Sequence, residues 1–155
     1  MSHSFGERSL KNLEGVHPDL VAVHKYAIAH GGVDYSIIEG VRSEARQKQL
    51  YAQGRTVPGK IVTWTLKSNH FIKPDGFGWA TDCTPFHGHG ISPWPDAHPP
   101  AERDYYWIAF DKMAKSILTA AKVLQIKVRW GADWDMDGNP REKGESDSPH
   151  FELYK

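Results

Sequence analysis

One carboxylate lies inside a short apolar segment, and any fold of this chain must give it a partner. The segment is "GWATDCTPF", residues 78–86, and the carboxylate is Asp82. Burying a carboxylate is costly unless it is paired, hydrogen-bonded or bound to a metal. The sequence therefore requires other side chains, an ion, or both to converge on Asp82.

The segment "WATDC" is short and bounded by glycine and proline, which is typical of a strand. Side chains of a strand alternate between two faces, so Ala80 and Asp82 share one face and Trp79, Thr81 and Cys83 share the other. Trp79 and Cys83 can then pack into the core, and we interpret Cys83 as a buried thiol, not a ligand. The small Ala80 leaves room beside the carboxylate.

Two histidines can reach the same face as Asp82. A loop containing Pro74 separates His70 from the strand, so His70 can fold back onto it. His150 begins the segment "HFEL", whose Phe151 faces inward if the segment is a strand. Two imidazoles and one carboxylate form the ligand pattern of a catalytic zinc site that keeps one position open for water.

Asp147 precedes His150 by three residues and is close enough to reach such a water without being a ligand. Each of these residues also has an ordinary interpretation. A lone histidine is usually a surface or hydrogen-bonded core residue, Asp82 could cap a turn through Thr84, and Asp147 could belong to a polar loop. Spacing alone leaves both interpretations open.

Sequence periodicity predicts an α+β fold in one domain, residues 1–155, with a small antiparallel sheet, flanking helices and the metal site on the sheet face. Helices are predicted at 17–32, 43–54 and 102–126. Strands are predicted at 34–42, 78–86, 127–131 and 150–153, with a further β-rich run within 55–65.

Charge and composition exclude several classes of protein. With 19 basic and 19 acidic residues the net charge is zero, which argues against a broad electrostatic grip on nucleic acid or an anionic membrane. The single cysteine permits no intramolecular disulfide. No apolar run approaches a membrane span, and the first residues lack the apolar core of a secretory signal, so we expect synthesis in a cytoplasm.

The segment "SNHFIKPDGFGWATDCTPF", followed by "WGADW" and "DSPHFEL", resembles the LAS group of zinc peptidases (M15-type). Residues 9–28 and 37–63 resemble the bacteriophage L-alanyl-D-glutamate endopeptidases in particular. In one departure, eleven residues separate His70 from Asp82, more than in many members, and this loop can reshape the cleft wall. The group's S-x-H, A-x-D and D/E-x-x-H motifs are matched in order by Ser68, His70, Ala80, Asp82, Asp147 and His150.

The resemblance implies that His70, Asp82 and His150 bind one zinc ion and that Asp147 is the general base. It also implies that Arg42, in "EGVRS", binds substrate or stabilises the oxyanion. For Arg42 the alternative is a surface salt bridge with a neighbouring glutamate, either Glu39 or Glu44.

Three further residues are candidates for contacts around the metal. Glu152 shares a strand face with His150 and either orients that imidazole or is a solvated edge residue. Ser68 either forms a hydrogen bond near the metal or caps a turn. Trp94, in the Gly/Pro/His-rich loop 86–100, either contacts a glycan or stem peptide or covers the core.

The same loop contains His87, His89 and His98. These residues could form a second metal site, but the glycine-rich setting gives them no fixed geometry. We therefore interpret the loop as a mobile cleft edge.

The segment "DWDMDGN" begins like a calcium loop, with Asp133, Asp135 and Asp137 at alternating positions. An EF-hand needs a glutamate at position 12 of the loop, which is Gly144 here. An ordinary acidic turn is thus the first interpretation, and a weak calcium site that orders the loop before Asp147 is the alternative. A calcium titration that changed neither activity nor thermal stability would exclude that site.

By this resemblance the chain is expected to be a phage endolysin that cuts the L-alanyl-D-glutamate bond of peptidoglycan stem peptides for host lysis. It should act as a monomer without a separate wall-binding domain, held in the host cytoplasm until holin-type release. One alternative is a D-alanyl-D-alanine carboxypeptidase or dipeptidase of the same fold. A more remote one is a non-catalytic wall-binding module with structural zinc.

Overall fold

The computed structural model describes residues 3–59, 61, 68–85, 100–141 and 147–155. The helices are α1 (Glu7–Asn12), α2 (Pro18–His30), α3 (Glu44–Ala52) and α4 (Pro100–Leu124). The strands are β1 (Tyr35–Glu39), β2 (Ala80–Pro85), β3 (Val128–Trp130) and β4 (His150–Leu153). They form one antiparallel sheet in the order β1-β2-β4-β3, which confirms the predicted α+β class.

Local sequence signals explain where two of the helices begin. Ser43 caps α3, because its hydroxyl oxygen accepts a hydrogen bond from the Arg46 backbone amide at 3.1 Å. Pro18 occupies the first turn of α2, and the His17 side chain accepts from the Asp19 amide at 3.0 Å. Helix α1 was not predicted, and the β-rich run predicted within 55–65 lies largely outside the described residues.

The sheet has one face toward the helices and one toward the candidate site. Helices α2 and α4 pack together, and α4 packs on β2 and β3. Cys83, Phe151 and Leu153 belong to the buried core on this side, as predicted, and the half-buried Trp79 packs at its margin. In the described residues no helix is long and apolar enough to span a membrane.

His24 of α2 connects the helical layer to the sheet. Its Nε2 lies 2.7 Å from the Thr81 hydroxyl and its Nδ1 lies 2.9 Å from the Tyr35 hydroxyl. Because the Tyr35 hydroxyl donates to the His24 carbonyl oxygen, Nδ1 carries the hydrogen and Nε2 accepts from Thr81. The neutral ring is therefore satisfied on both sides, and burial lowers the pKa of His24 from 6.5 to about 3.

Acid should weaken the fold through His24. The unfolded chain takes up a proton below pH 6.5 and the folded chain only near pH 3, so this stability is complete above pH 6.5 and declines on acidification. From pH 7 to pH 5 the free energy of unfolding should fall by about 2 kcal/mol more in the parent than in His24→Gln. Urea unfolding of the chelator-treated proteins measures this, and equal losses would contradict it.

Candidate metal centre

The predicted metal ligands converge at the middle of the sheet. Asp82 of β2 and His150 of β4 are directly paired across the two strands. His70 comes from the turn before β2, and its Nε2 lies 3.3 Å from Asp82 Oδ1, while His150 Nδ1 lies 3.2 Å from the same oxygen. One ligand atom from each residue lies within 4.8 Å of the others. The three side chains are thus close enough to share one ion.

The outer nitrogens of both imidazoles face hydrogen-bond acceptors. His70 Nδ1 lies 2.7 Å from the Gly40 carbonyl oxygen, and His150 Nε2 lies 2.7 Å from Glu152 Oε1. These acceptors place the hydrogen on the outer nitrogen, so a neutral ring offers its lone pair toward Asp82. The resulting set of two nitrogens and one oxygen fits zinc or a similar divalent metal.

The charges of the cluster also favour a cation at its centre. Burial opposes ionisation of Asp82, but His70 and His150 hold the pKa of its carboxyl well below the ordinary value. Burial also opposes protonation of His150, but hydrogen bonds to Asp82 and Glu152 raise its pKa to about 10. Because a metal ligand must be deprotonated, a metal would replace the proton that His150 otherwise holds.

Arg42 contacts Asp82 from the side opposite the histidines. Its Nη2 donates to Asp82 Oδ2 at 3.1 Å, and its Nε and Nη2 donate to Glu39 at 2.8 Å. Its Nη1 donates to the Gln47 side-chain oxygen at 2.8 Å. The bridge to Glu39 is therefore present, but Arg42 is 9% exposed and not a surface residue. This network leaves Asp82 Oδ1 for the two imidazoles.

Asp147 lies beside the three candidate ligands without joining their cluster. Its Oδ2 is 4.0 Å from His150 Nδ1, and 44% of its side chain remains exposed. Desolvation raises the pKa of its carboxyl to about 6, with His150 opposing and Asp82 adding to the rise. The carboxylate is thus open to the cleft and within reach of a molecule bound next to the ligands.

For Glu152 and for Ser68 the structure distinguishes between the two interpretations that the sequence left open. Glu152 is 4% exposed and contacts His150, so it is not a solvated edge residue. The Ser68 hydroxyl accepts a hydrogen bond from the His70 backbone amide at 3.0 Å, which is a turn cap. Ser68 therefore supports His70 through the backbone.

A cleft of about 810 Å³ opens above the cluster, within the size range of sites for small ligands. Several of its lining residues were not among the sequence candidates, and two of these, Trp134 and Gln47, lie next to predicted site residues. The Trp134 ring lies 5.6 Å from that of His150, and Gln47 is buried behind Arg42. Trp134 and His150 are far apart in sequence, and Gln47 lies on a different element from Arg42. Local spacing therefore contains no signal for either contact. Other lining residues are Ile38, Arg46, Leu50, Phe71 and Lys73.

Gly131 lies closely against Asp147 and the first residue of β4, His150. A Cβ at this position would collide with the Asp147 carbonyl oxygen and lie 3.0 Å from the His150 Cβ. Gly131→Ala should therefore displace both residues, lower activity and cost about 1–3 kcal/mol of stability. Gly6→Ala is the control, because a Cβ there meets no atom within 4 Å. Thermal unfolding and hydrolysis assays measure the effects, and parent-like values for Gly131→Ala would contradict them.

The acidic segment has a geometry compatible with either interpretation. One oxygen from each of Asp133, Asp135 and Asp137 lies within 4.8 Å of the others. Backbone amides already bond to them, including Gly138 to Asp133 at 3.0 Å and Asn139 to Asp137 at 2.8 Å. Calcium binding here stays a prediction.

The candidate residues of the predicted cleft-edge loop are not among those that the structure describes. Trp94, His87, His89 and His98 lie outside the described residues.

Comparisons with known proteins identify the family of this chain. A family model described as phage L-alanyl-D-glutamate peptidase matches residues 1–154. The L-alanyl-D-glutamate peptidase of Escherichia phage T5 is 31% identical over 156 aligned residues, covering 99% of each chain. The peptidoglycan L-alanyl-D-glutamate endopeptidase CwlK of Bacillus subtilis is 30% identical over 132 residues, covering 83% of this chain and 66% of that protein.

A solved structure of a protein named for the same activity has a similar fold. The crystal structure of the L-Ala D-Glu endopeptidase ChiX of Serratia marcescens matches with a TM-score of 0.68 and 29% identity. The match covers 98% of this chain and 91% of that one. Sequence and structural similarity therefore extend over almost the whole chain, which belongs to the phage L-alanyl-D-glutamate peptidase family.

Proposed function

We propose that this chain is a zinc-dependent endolysin that hydrolyses the L-alanyl-D-glutamate bond of peptidoglycan stem peptides. The observation that carries the proposal is the convergence of His70, Asp82, His150 and Asp147 at the floor of one cleft. The relatives are named for cleavage of this bond. We also propose that the enzyme reaches the cell wall from the host cytoplasm by holin-type release.

His70 Nε2, Asp82 Oδ1 and His150 Nδ1 would hold the zinc ion, because these atoms face one another and their outer partners set the tautomers. When bound, zinc supplies Lewis acidity and brings the pKa of water to about 7. The surrounding hydrogen bonds would keep the three ligand atoms in place before metal or substrate binds.

Asp147 is the proposed general base. Its carboxylate faces the cleft, 4.0 Å from His150 Nδ1, so it can accept a proton from the attacking water. The same carboxyl group can then donate that proton to the leaving amine. One side chain thus serves both proton transfers.

Arg42 is proposed to position Asp82 and to place positive charge beside the scissile carbonyl. Its contact with Asp82 Oδ2 fixes the carboxylate plane. Its burial against Glu39 and Gln47 keeps the guanidinium in place. A fixed cation near the developing oxyanion lowers the barrier without reorganisation during the reaction.

Digestion of purified Gram-negative peptidoglycan, with mass spectrometry of the fragments, tests the function. The expected result is fragments with new L-alanine carboxyl ends. These ends should not form in a control digestion with EDTA-treated enzyme. Loss of only a terminal D-alanine would instead establish the carboxypeptidase alternative. Zinc binding without cleavage would revive the wall-binding module, an alternative that the exposed Asp147 beside the ligands does not favour.

A further inference from the structure

The buried Glu152 carboxylate has partners on both oxygens. Its Oε1 lies 2.7 Å from His150 Nε2. Its Oε2 accepts from Arg129 Nε at 3.0 Å, from Arg129 Nη2 at 2.8 Å and from Asn69 Nδ2 at 2.7 Å. The metal ligand His150 is therefore backed by a carboxylate whose own orientation is fixed by two further side chains.

Arg129 is placed by the sheet itself. It lies directly opposite Glu152 in the pairing of β3 with β4. Its guanidinium carbon lies 5.5 Å from the ring centre of Trp134 and 5.7 Å from that of Tyr154. Trp134 in turn lies against His150. Arg129 thus contacts two of the groups that hold the His150 imidazole, while itself staying outside the metal cluster.

The two donors that Arg129 presents to one oxygen restrict how Glu152 can turn. A carboxylate rotates broadly about its terminal torsion, so a hydrogen bond to His150 alone does not fix its plane. Two donors of one planar guanidinium converge on Oε2 and restrict where this oxygen can lie, and a rotating ammonium group restricts it less. Arg129, on the neighbouring strand β3, therefore restricts the orientation of the carboxylate that contacts His150 Nε2.

We propose that Arg129 is a positioning residue that acts through Glu152 to keep His150 Nδ1 aimed at Asp82. The inference rests on the proposed function, because it concerns the zinc site. Asn69 adds a second support from the residue next to His70, so the same carboxylate also links the two histidine ligands.

Zinc affinity of the metal-free protein tests this, measured by competition with a chromogenic chelator. Arg129→Met should bind zinc about tenfold more weakly, at the lower end of what losing an outer partner of a metal ligand costs. Arg129→Lys should recover part of the loss, since one charged donor remains. Should Arg129→Met fail to fold in a thermal melt, Arg129→Gln replaces it with the same expected loss.

Arg141→Met is the matched control. Arg141 also pairs with a carboxylate, that of Asp111 at 2.6 Å, and lies 4.2 Å from the Trp107 ring centre. It has no described contact with the metal ligands, so its loss should change zinc affinity by no more than about twofold.

A double-mutant cycle distinguishes positioning through Glu152 from general damage. In a Glu152→Gln background, Arg129→Met should lower zinc affinity by less than about twofold. The reason is that the carboxylate through which Arg129 acts on His150 is already absent. Equal losses in both backgrounds, or parent-like affinity of Arg129→Met, would overturn the inference alone. A parent chain that binds no zinc would overturn the proposed function as well.

Discussion

Replacing Asp147 with asparagine should lower kcat for peptidoglycan hydrolysis by about 10²–10⁴-fold, the usual contribution of a general base. Asparagine keeps the size and the position of the side chain but cannot accept a proton. The group lies beside the ligand cluster and not within it, so zinc affinity should change little. A loss in kcat with zinc still bound would therefore identify a proton-transfer role.

Asp111→Asn is the matched control for this variant. The Asp111 side chain is 47% exposed, close to the 44% of Asp147, but it pairs with Arg141 away from the cluster. Release of soluble fragments from purified walls gives the rates, and zinc content is measured on the same samples. Lysis by Asp147→Asn at the parent rate would exclude Asp147 as the base.

The candidate metal cluster could be predicted because strand alternation carries most of its geometry. Asp82 and Cys83 are neighbours in sequence, and the pleat alone places them on opposite faces of β2. The same rule separates His150 and Glu152 from Phe151 in β4. Two such strands need only pair in register for Asp82 and His150 to meet, as they do. The role of Asp147 depended on a family motif, because a residue in a loop has no comparable periodicity.

Most supports of the cluster could not be predicted, because they depend on contacts between residues of different elements. Glu152 is the exception, since strand alternation already places it on the same face as His150. The Gly40 carbonyl that holds His70 lies 30 residues away in sequence, and Asn69 and Glu152 are 83 residues apart. The partial burial of Arg42 likewise goes with its hydrogen bonds to Gln47 and Asp82. Every residue has a backbone carbonyl, so the sequence does not mark the one that will contact His70. Polar side chains such as Asn and Gln are mostly exposed in proteins, so their presence in the sequence does not indicate a buried support.

Substitution of His70 should abolish both zinc binding and hydrolysis. His70→Gln removes one of the two proposed nitrogen ligands. Zinc affinity should therefore fall by more than about 10–100-fold, the cost of losing a residue that only supports a ligand. Zinc at 100 times its dissociation constant stabilises a folded protein by about 2.7 kcal/mol. The parent should therefore show a rise in Tm on zinc addition that His70→Gln lacks.

His24→Gln separates loss of a ligand from loss of a buried histidine. His24 is 0% exposed and His70 is 1% exposed, but they lie on opposite faces of β2. His24→Gln should lower the Tm of the metal-free protein and keep the zinc-dependent rise, because its contacts are with Thr81 and Tyr35. His70→Gln should lose the rise whatever its effect on the metal-free protein. A zinc-dependent rise of parental size in His70→Gln would show that His70 is not a ligand, because a three-residue site that loses a nitrogen donor cannot keep its affinity.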